Sequence, residues 1–301
     1  MTRRYNLFYV AALMFGSASG QAAAPLRLQA TTGLDWTIDC SRPPTASARP
    51  AGGPVDDFAG LRMGLSLDEA AAAAVCVERG RSPGNRADAR FVASVNGLHP
   101  FDYLGQSVRT GGVLGIGSFV PRGEMPRFPS ADGGEAALTP YFRGTMVSWS
   151  FHAFGLPGKE KVYGFTRNER FADDTSPDLE TLRKQVLQKY GPPHRIDEGV
   201  GAVEMSWAYD STGKPVPIPR SNVVTCPAPI YAGEGIQVDP SGTCGVAIRV
   251  RIAKQHNVYK AAGLYLGIVH GSAMGKAIAQ TQDGIRDIAR GGQTGATVKS
   301  F

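Results

Sequence analysis

The chain lacks the spacings that preset metal, redox and nucleotide sites. Its five histidines, His99, His152, His194, His256 and His270, form neither HxH nor HExxH, so no pair is placed on one face to hold a metal ion. None of the four cysteines stands in a CxxC pair, which removes thioredoxin-like exchange and zinc ribbons. HGSAMGKA near the C-terminus departs from a phosphate loop, because its first glycine is misplaced and Ala277 stands where a magnesium-binding hydroxyl belongs. The GxSxG elbow of serine hydrolases is missing beyond the leader, since GSASG at Gly16 falls inside it. GGVLGIG, Gly111 to Gly117, has no dinucleotide fingerprint and is read as tight turns. No cofactor and no metal are expected. Distant serine, histidine and aspartate residues can still converge in space.

Runs of one charge are missing too. Lysine and arginine number 32 against 26 acidic residues, a formal charge of +6, and this modest excess is spread along the chain instead of tracking a phosphate backbone. Nucleic acid is excluded as a partner on that ground. After the N-terminus no apolar stretch reaches membrane-spanning length; the best, AAGLYLGIVHGSAMG, is broken by glycines and a histidine.

What is present begins with a leader. Arg3 and Arg4 precede the apolar run Tyr5 to Phe15, and small residues follow up to Pro25, the layout of a secretory signal peptide. Cleavage is expected near Ala22, which with Gly20 flanks Gln21, and places the mature protein in the periplasm or outside the cell. Twin-arginine export and an uncleaved anchor remain alternatives, although Asn6 stands where the former usually has an apolar residue. No cysteine follows the apolar run closely enough for a lipid anchor. Cys40, Cys76, Cys226 and Cys244 all remain after cleavage, and an even count in an exported chain favours disulfides. Of three possible pairings, Cys40 with Cys76 would tie an N-terminal arm to a helix, and Cys226 with Cys244 would staple a loop.

Two segments carry the same helix pattern. In GLRMGLSLDEAAAAAVCVERG, Ser66 and Glu69 form a capping box and Gly80 is the stop; in TSPDLETLRKQVLQKYGPP, Ser176 is the expected N-cap, Pro177 the first helical residue and Gly191 the stop. Leu179, Leu182, Val186, Leu187 and Tyr190 make one apolar stripe. Strands are expected at RFVASVNGL, GTMVSWSFHAF, KVYGFTRNERF, VEMSWAYD, CGVAIRVRIAK and VYKAAGLYLGIVH, several with strict alternation. The segment from His99 to Thr139 is read as irregular with one or two short strands. The fold class is therefore α+β, two related units of short helices packed on antiparallel sheet. The expected organisation is a signal peptide at 1–22, a flexible arm at 23–54, a first unit at 55–154, a second at 155–271, and a C-terminal helix and tail at 272–301.

The phrase FAGLRMGLSLDEA from Phe58 resembles the opening signature of the BamE/SmpA-like envelope proteins. LQKYGPP, the strand with Trp207 and the strand start at Cys244 and Gly245 are similar to a group of uncharacterised secreted bacterial proteins. The resemblance implies tandem helix-on-sheet units like the β-lactamase-inhibitor-protein fold, and a scaffold role with an envelope protein partner.

Two groups could carry binding. Arg249 and Arg251 stand two apart on one strand face and could meet an acidic partner, although a solvated or edge-protecting face is the plainer explanation. Tyr163 and Phe165 would form an interaction surface if their row is exposed, against a core row under the helices. His194 with Asp197 and Glu198 is the nearest polar cluster and is read as a solvated loop after a helix stop. The sequence thus predicts a non-catalytic, protein-binding or scaffold protein of the bacterial envelope. The alternative is a secreted hydrolase with a site near residues 99–139 and His152. The spacing says nothing about a small-molecule ligand.

Overall fold

The computed structural model describes residues 26–29, 35–46, 48–49, 51–80, 90–96, 99–103, 106–110, 112–119, 128–129, 135–136, 146–156, 159–172, 176–218, 226, 228, 243–256 and 259–292. The leader and the tail beyond 292 lie outside them. The protein is α+β. Its N-terminal arm, expected to be flexible, carries a ribbon of β1 (Leu26–Gln29) and β2 (Asp35–Ile38). Ile38 is buried and Cys40 is bonded to Cys76 on α1 (Leu67–Gly80). A second disulfide joins Cys226 to Cys244, so both favoured pairings are present.

Both helices start where the local chemistry is strongest. Ser66 and Glu69 exchange hydrogen bonds, Glu69 N–H to Ser66 Oγ at 3.2 Å and Ser66 N–H to Glu69 Oε2 at 2.7 Å, which is the expected capping box. α2 (Leu179–Tyr190) starts later than expected. Its N-cap is Asp178, which accepts from Thr181 N–H at 2.9 Å, and not Ser176. The reason is a backbone commitment upstream: Pro177 O accepts from Ala261 N–H, Leu179 N–H donates to Tyr259 O, and the buried Ser176 hydroxyl bonds Ala261 O. Those residues form an isolated β-bridge, Asp178 with Lys260, before the helix can begin. Gly191 ends it at φ 79° and donates to Leu187 O, the left-handed stop that glycine adopts without strain.

Eight strands form one antiparallel sheet. After α1 come β3 (Arg90–Asn96), the hairpin of β4 (His99–Tyr103) and β5 (Gln106–Thr110), β6 (Gly112–Phe119), the short pair β7 (Phe128–Pro129) and β8 (Glu135–Ala136), β9 (Met146–Phe154) and β10 (Lys161–Arg170). After α2 come β11 (Arg195–Glu198), β12 (Ala202–Ala208), β13 (Val246–Lys254) and β14 (Ala261–His270), and the 22-residue α3 (Gly271–Gly292) follows. The sheet order is β11-β12-β13-β14-β10-β9-β6-β3. α1 and α2 are thus each followed by four sheet strands that run in chain order from one edge to the middle, and the two runs meet where β10 pairs with β14. The glycine-rich segment read as tight turns is largely β6. Paired on both sides, by β3 and β9, it shows sheet context overriding the poor strand propensity of glycine.

The start of β10 and the start of β14 repeat the same local device. Leu65, ahead of α1, accepts from Val162 N–H at 2.8 Å, as Pro177, ahead of α2, accepts from Ala261 N–H at 3.0 Å. One residue later each strand carries a bulge, at Tyr163 and at Ala262, followed by Gly164 and Gly263. Those two glycines are 99 residues apart, as are Arg167 and Leu266, which face each other at the centre of the β10–β14 pairing.

Alternation decides the two faces. Trp149, Phe151, Phe165, Met205, Trp207, Ile248, Ile252 and Ile268 are almost wholly buried and pack with α1 and α2 on one face, each contributing about 1.5–3 kcal/mol by leaving water. On the other face α3 packs against β9, β10 and β13, with Met274 over Ala208, Ala247 and Val269. Within the first core lies an ion cluster. Arg167, 1% exposed, forks Glu78 of α1 at 2.8 and 3.2 Å and reaches Glu169 at 2.7 Å; Trp149 Nε1 donates to Glu78 at 3.1 Å, and the guanidinium lies 4.7 Å from the Phe58 ring centre. Burial works against the Arg167 charge, but Glu169 and Glu78 outweigh it and raise its pKa. Such a cluster fixes register more than it adds stability, and removing one member strands the others. Arg167→Ala should therefore cost about 3–5 kcal/mol in urea unfolding; a loss under about 1 kcal/mol would show that the cluster does not hold α1 on the sheet.

Candidate functional site

The sheet face turned away from α1 and α2 carries the polar residues. One row of facing residues runs Arg195, Ser206, Arg249, Gly267, Thr166 and Ser150 across β11, β12, β13, β14, β10 and β9; the next runs Asp197, Glu204, Arg251, Tyr265, Asn168 and Ser148. Of the three arginines in these two rows, two are matched. Arg195 Nε lies 2.6 Å from Asp197 Oδ2, and Arg249 Nε 2.7 Å from Glu204 Oε1. Arg251 faces Glu204 across the strands, yet that carboxylate is taken by Arg249. Among the described residues Arg251 has no acidic partner, and its Nε is buried without a hydrogen bond, as is Thr166 Oγ1. The Arg249 side chain remains 32% exposed, so the row is open to a partner.

The aromatic pair divides. Phe165 is fully buried between Trp149 and Phe151 and cannot form a surface, a correction to the exposed row considered from the sequence. Its cause is the bulge at Tyr163, which shifts the alternation by one so that Val162 and Phe165 both face the helices. Tyr163 points the other way and is half-buried against the cluster that includes Ala247, Val269 and Met274, where burial raises the pKa of its hydroxyl.

The histidines do not converge. His152 is buried on β9, whereas His194 precedes β11, five strand spacings away, roughly 24 Å. His194 Nδ1 accepts from Ala208 N–H at 3.0 Å and its ring meets Tyr209 edge-on at 5.0 Å; burial lowers its pKa. Side chains of the 99–139 segment lie outside the described residues. Among the described residues no three histidine, cysteine or acidic side chains gather to hold a metal ion, and no helix is long and apolar enough to cross a membrane.

The segment that leads into α1 is charged but spent on the fold. Asp57 bonds Lys189 Nζ at 2.8 Å and its carbonyl accepts from the Tyr190 hydroxyl at 3.0 Å, both on α2. Phe58 meets Trp149 edge-on at 5.7 Å. Asp56 is forked by Arg62 at 2.7 and 2.8 Å and lies 3.2 Å from His270 Nε2 at the end of β14. Sequence reasoning found none of these partners, because each is distant in the chain or hidden by a shifted alternation.

Together these features define a class: an α+β protein with a single eight-stranded antiparallel sheet, two disulfides and a polar outer face. Comparison of the chain with known protein families, curated proteins and solved structures found no match.

The Asp56 network has a pH signature. Burial alone would raise its carboxyl, but the His270 and Arg62 hydrogen bonds and the Arg62 charge overcome that and lower it from 3.8 to about 2. A lowered acid stabilises the fold above its unfolded pKa and loses that contribution as pH falls from about 4 through about 2. At about pH 7, Asp56→Asn should be less stable than the parent by about 2 kcal/mol in thermal unfolding, and the gap should close on acidification over that window. A gap unchanged at about pH 2 would contradict the network.

Proposed function

We propose that this chain is an exported, non-catalytic protein of the bacterial envelope, periplasmic or secreted, that binds a protein partner through the sheet face bearing Arg249 and Arg251. The observation that carries the reading is Arg251. A buried guanidinium N–H without an acceptor costs about 1–3 kcal/mol, and an incoming carboxylate would relieve that cost by forking the side chain. Among the described residues the neighbouring Arg195 and Arg249 are already paired with acids, so an acidic group on the partner would meet the Arg251 guanidinium. The leader-like N-terminus and the two disulfides support an oxidising compartment.

The same reading treats the chain as two related helix-and-meander units, in line with the resemblance to the BamE/SmpA-like proteins and the β-lactamase-inhibitor-protein fold. The matching bulges, the matching pairings ahead of each helix and the common 99-residue offset support it. On those grounds the first unit extends through β10 to Arg170, beyond the boundary at 154 read from the sequence.

In-cell crosslinking of the tagged protein in the envelope fraction, followed by mass spectrometry, tests the proposal. A small reproducible set of partners is expected, with recovery reduced at least tenfold by Arg251→Glu. Recovery unchanged by Arg251→Glu, or no reproducible partner, would refute the assignment of this face.

A further inference from the structure

The open edge of the sheet at β11 is built to pair with itself. Among the described residues β11 has no neighbour on its outer side. At its turn Gly199 N–H donates to Ala202 O at 2.9 Å, and pairing alternates from there. Asp197 and Arg195 therefore direct their backbone groups to β12, while Ile196 and Glu198 present theirs outward. Among the described residues, two of the three exposed large hydrophobic residues lie on this short stretch, Ile196 at 42% and Val200 at 94%. An apolar side chain beside unsatisfied strand N–H and C=O groups is the usual template for strand addition.

Side-chain order then selects the occupant. We infer that a second copy of this chain adds antiparallel to β11 about a two-fold axis at Ile196, forming a symmetric dimer with one sheet continuous across both copies. In that register Ile196 hydrogen-bonds Ile196 of the other copy and packs against it, and Arg195 of each copy faces Asp197 of the other. The alternative two-fold registers place like charges opposite: Asp197 on Asp197, Glu198 on Glu198, or Arg195 on Arg195. Like charges directly opposite in a ladder are unfavourable and unlike charges favourable, so a single register survives. Charged edges commonly prevent association; this one alternates in sign so that it complements its own image. The contact is small, and the dimer therefore depends on concentration.

Sedimentation equilibrium of the full mature protein, from micromolar to millimolar, provides the test. The parent should show reversible monomer–dimer exchange. Asp197→Arg and Arg195→Asp, each self-repelling in this register, should raise the dimer dissociation constant at least tenfold, and mixing the two variants should restore dimer as a mixed pair. Ile196→Lys should remove it while both disulfides and the circular dichroism spectrum stay as in the parent. A parent monomeric throughout the range, or a dimer that persists in each single variant, or single variants that fail to associate when mixed, would overturn the inference. Each outcome is independent of whether Arg251 captures an envelope partner.

Discussion

The pairing of β10 with β14 is the constraint on which the rest of the molecule depends. Seven residue pairs, from Gly164 opposite Val269 to Arg170 opposite Gly263, join two four-stranded runs that would otherwise each end in a bare edge. Everything costly to misplace lies along this seam. Arg167, at its centre, binds Glu78 from α1, and the lead-in to α1 crosses to Lys189 and Tyr190 on α2 and to His270 at the end of β14. A helix from one run and a helix from the other therefore share one core, and burial of that core is coupled to one register. Close approach enforces it: a Cβ on Gly263 would lie 2.7 Å from Glu169 O of the neighbouring strand.

This arrangement assigns the two faces different tasks. The face under α1 and α2 is filled by aromatic and branched side chains, with its few charges paired and buried. The opposite face is covered in part by α3, beyond which arginines, acids, a tyrosine and small hydroxyl residues remain in rows. A protein stabilised by one face and two disulfides can leave polar groups on the other without losing its fold, and on the proposed function those groups are what a partner would read. The same logic extends to the edge, where among the described residues β11 is paired on one side only.

Much of this was legible in the chain because it is written in local chemistry. The capping box of Ser66 and Glu69, the stop at Gly191, the α2 stripe, the alternation of Val246, Ile248, Val250 and Ile252, and the cysteine pairing all follow from residues that act within a turn, a strand or a redox compartment. What was not legible depends on single-residue shifts or on distant neighbours. The bulge at Tyr163 reverses which side Phe165 faces, and with it hides that Arg167 and Glu169 point inward. Ser176 looks like a cap until the strand pairing ahead of α2 claims it. The glycines of β6 look like turns until β3 and β9 flank them. Arg251 was visible as a charge, but that it has no carboxylate among the described residues is a property of the assembled sheet.

The claim that one seam unites the whole structure is tested most directly by native-state hydrogen exchange across increasing denaturant. If β10 and β14 bind the two runs into one cooperative unit, amides along the Gly164–Arg170 and Gly263–Val269 ladder should exchange only through global unfolding, with a single free energy shared by β9 and β13. If instead the strands after α2 open at a distinctly lower free energy than those after α1, the halves are independent and the seam is only a contact between them.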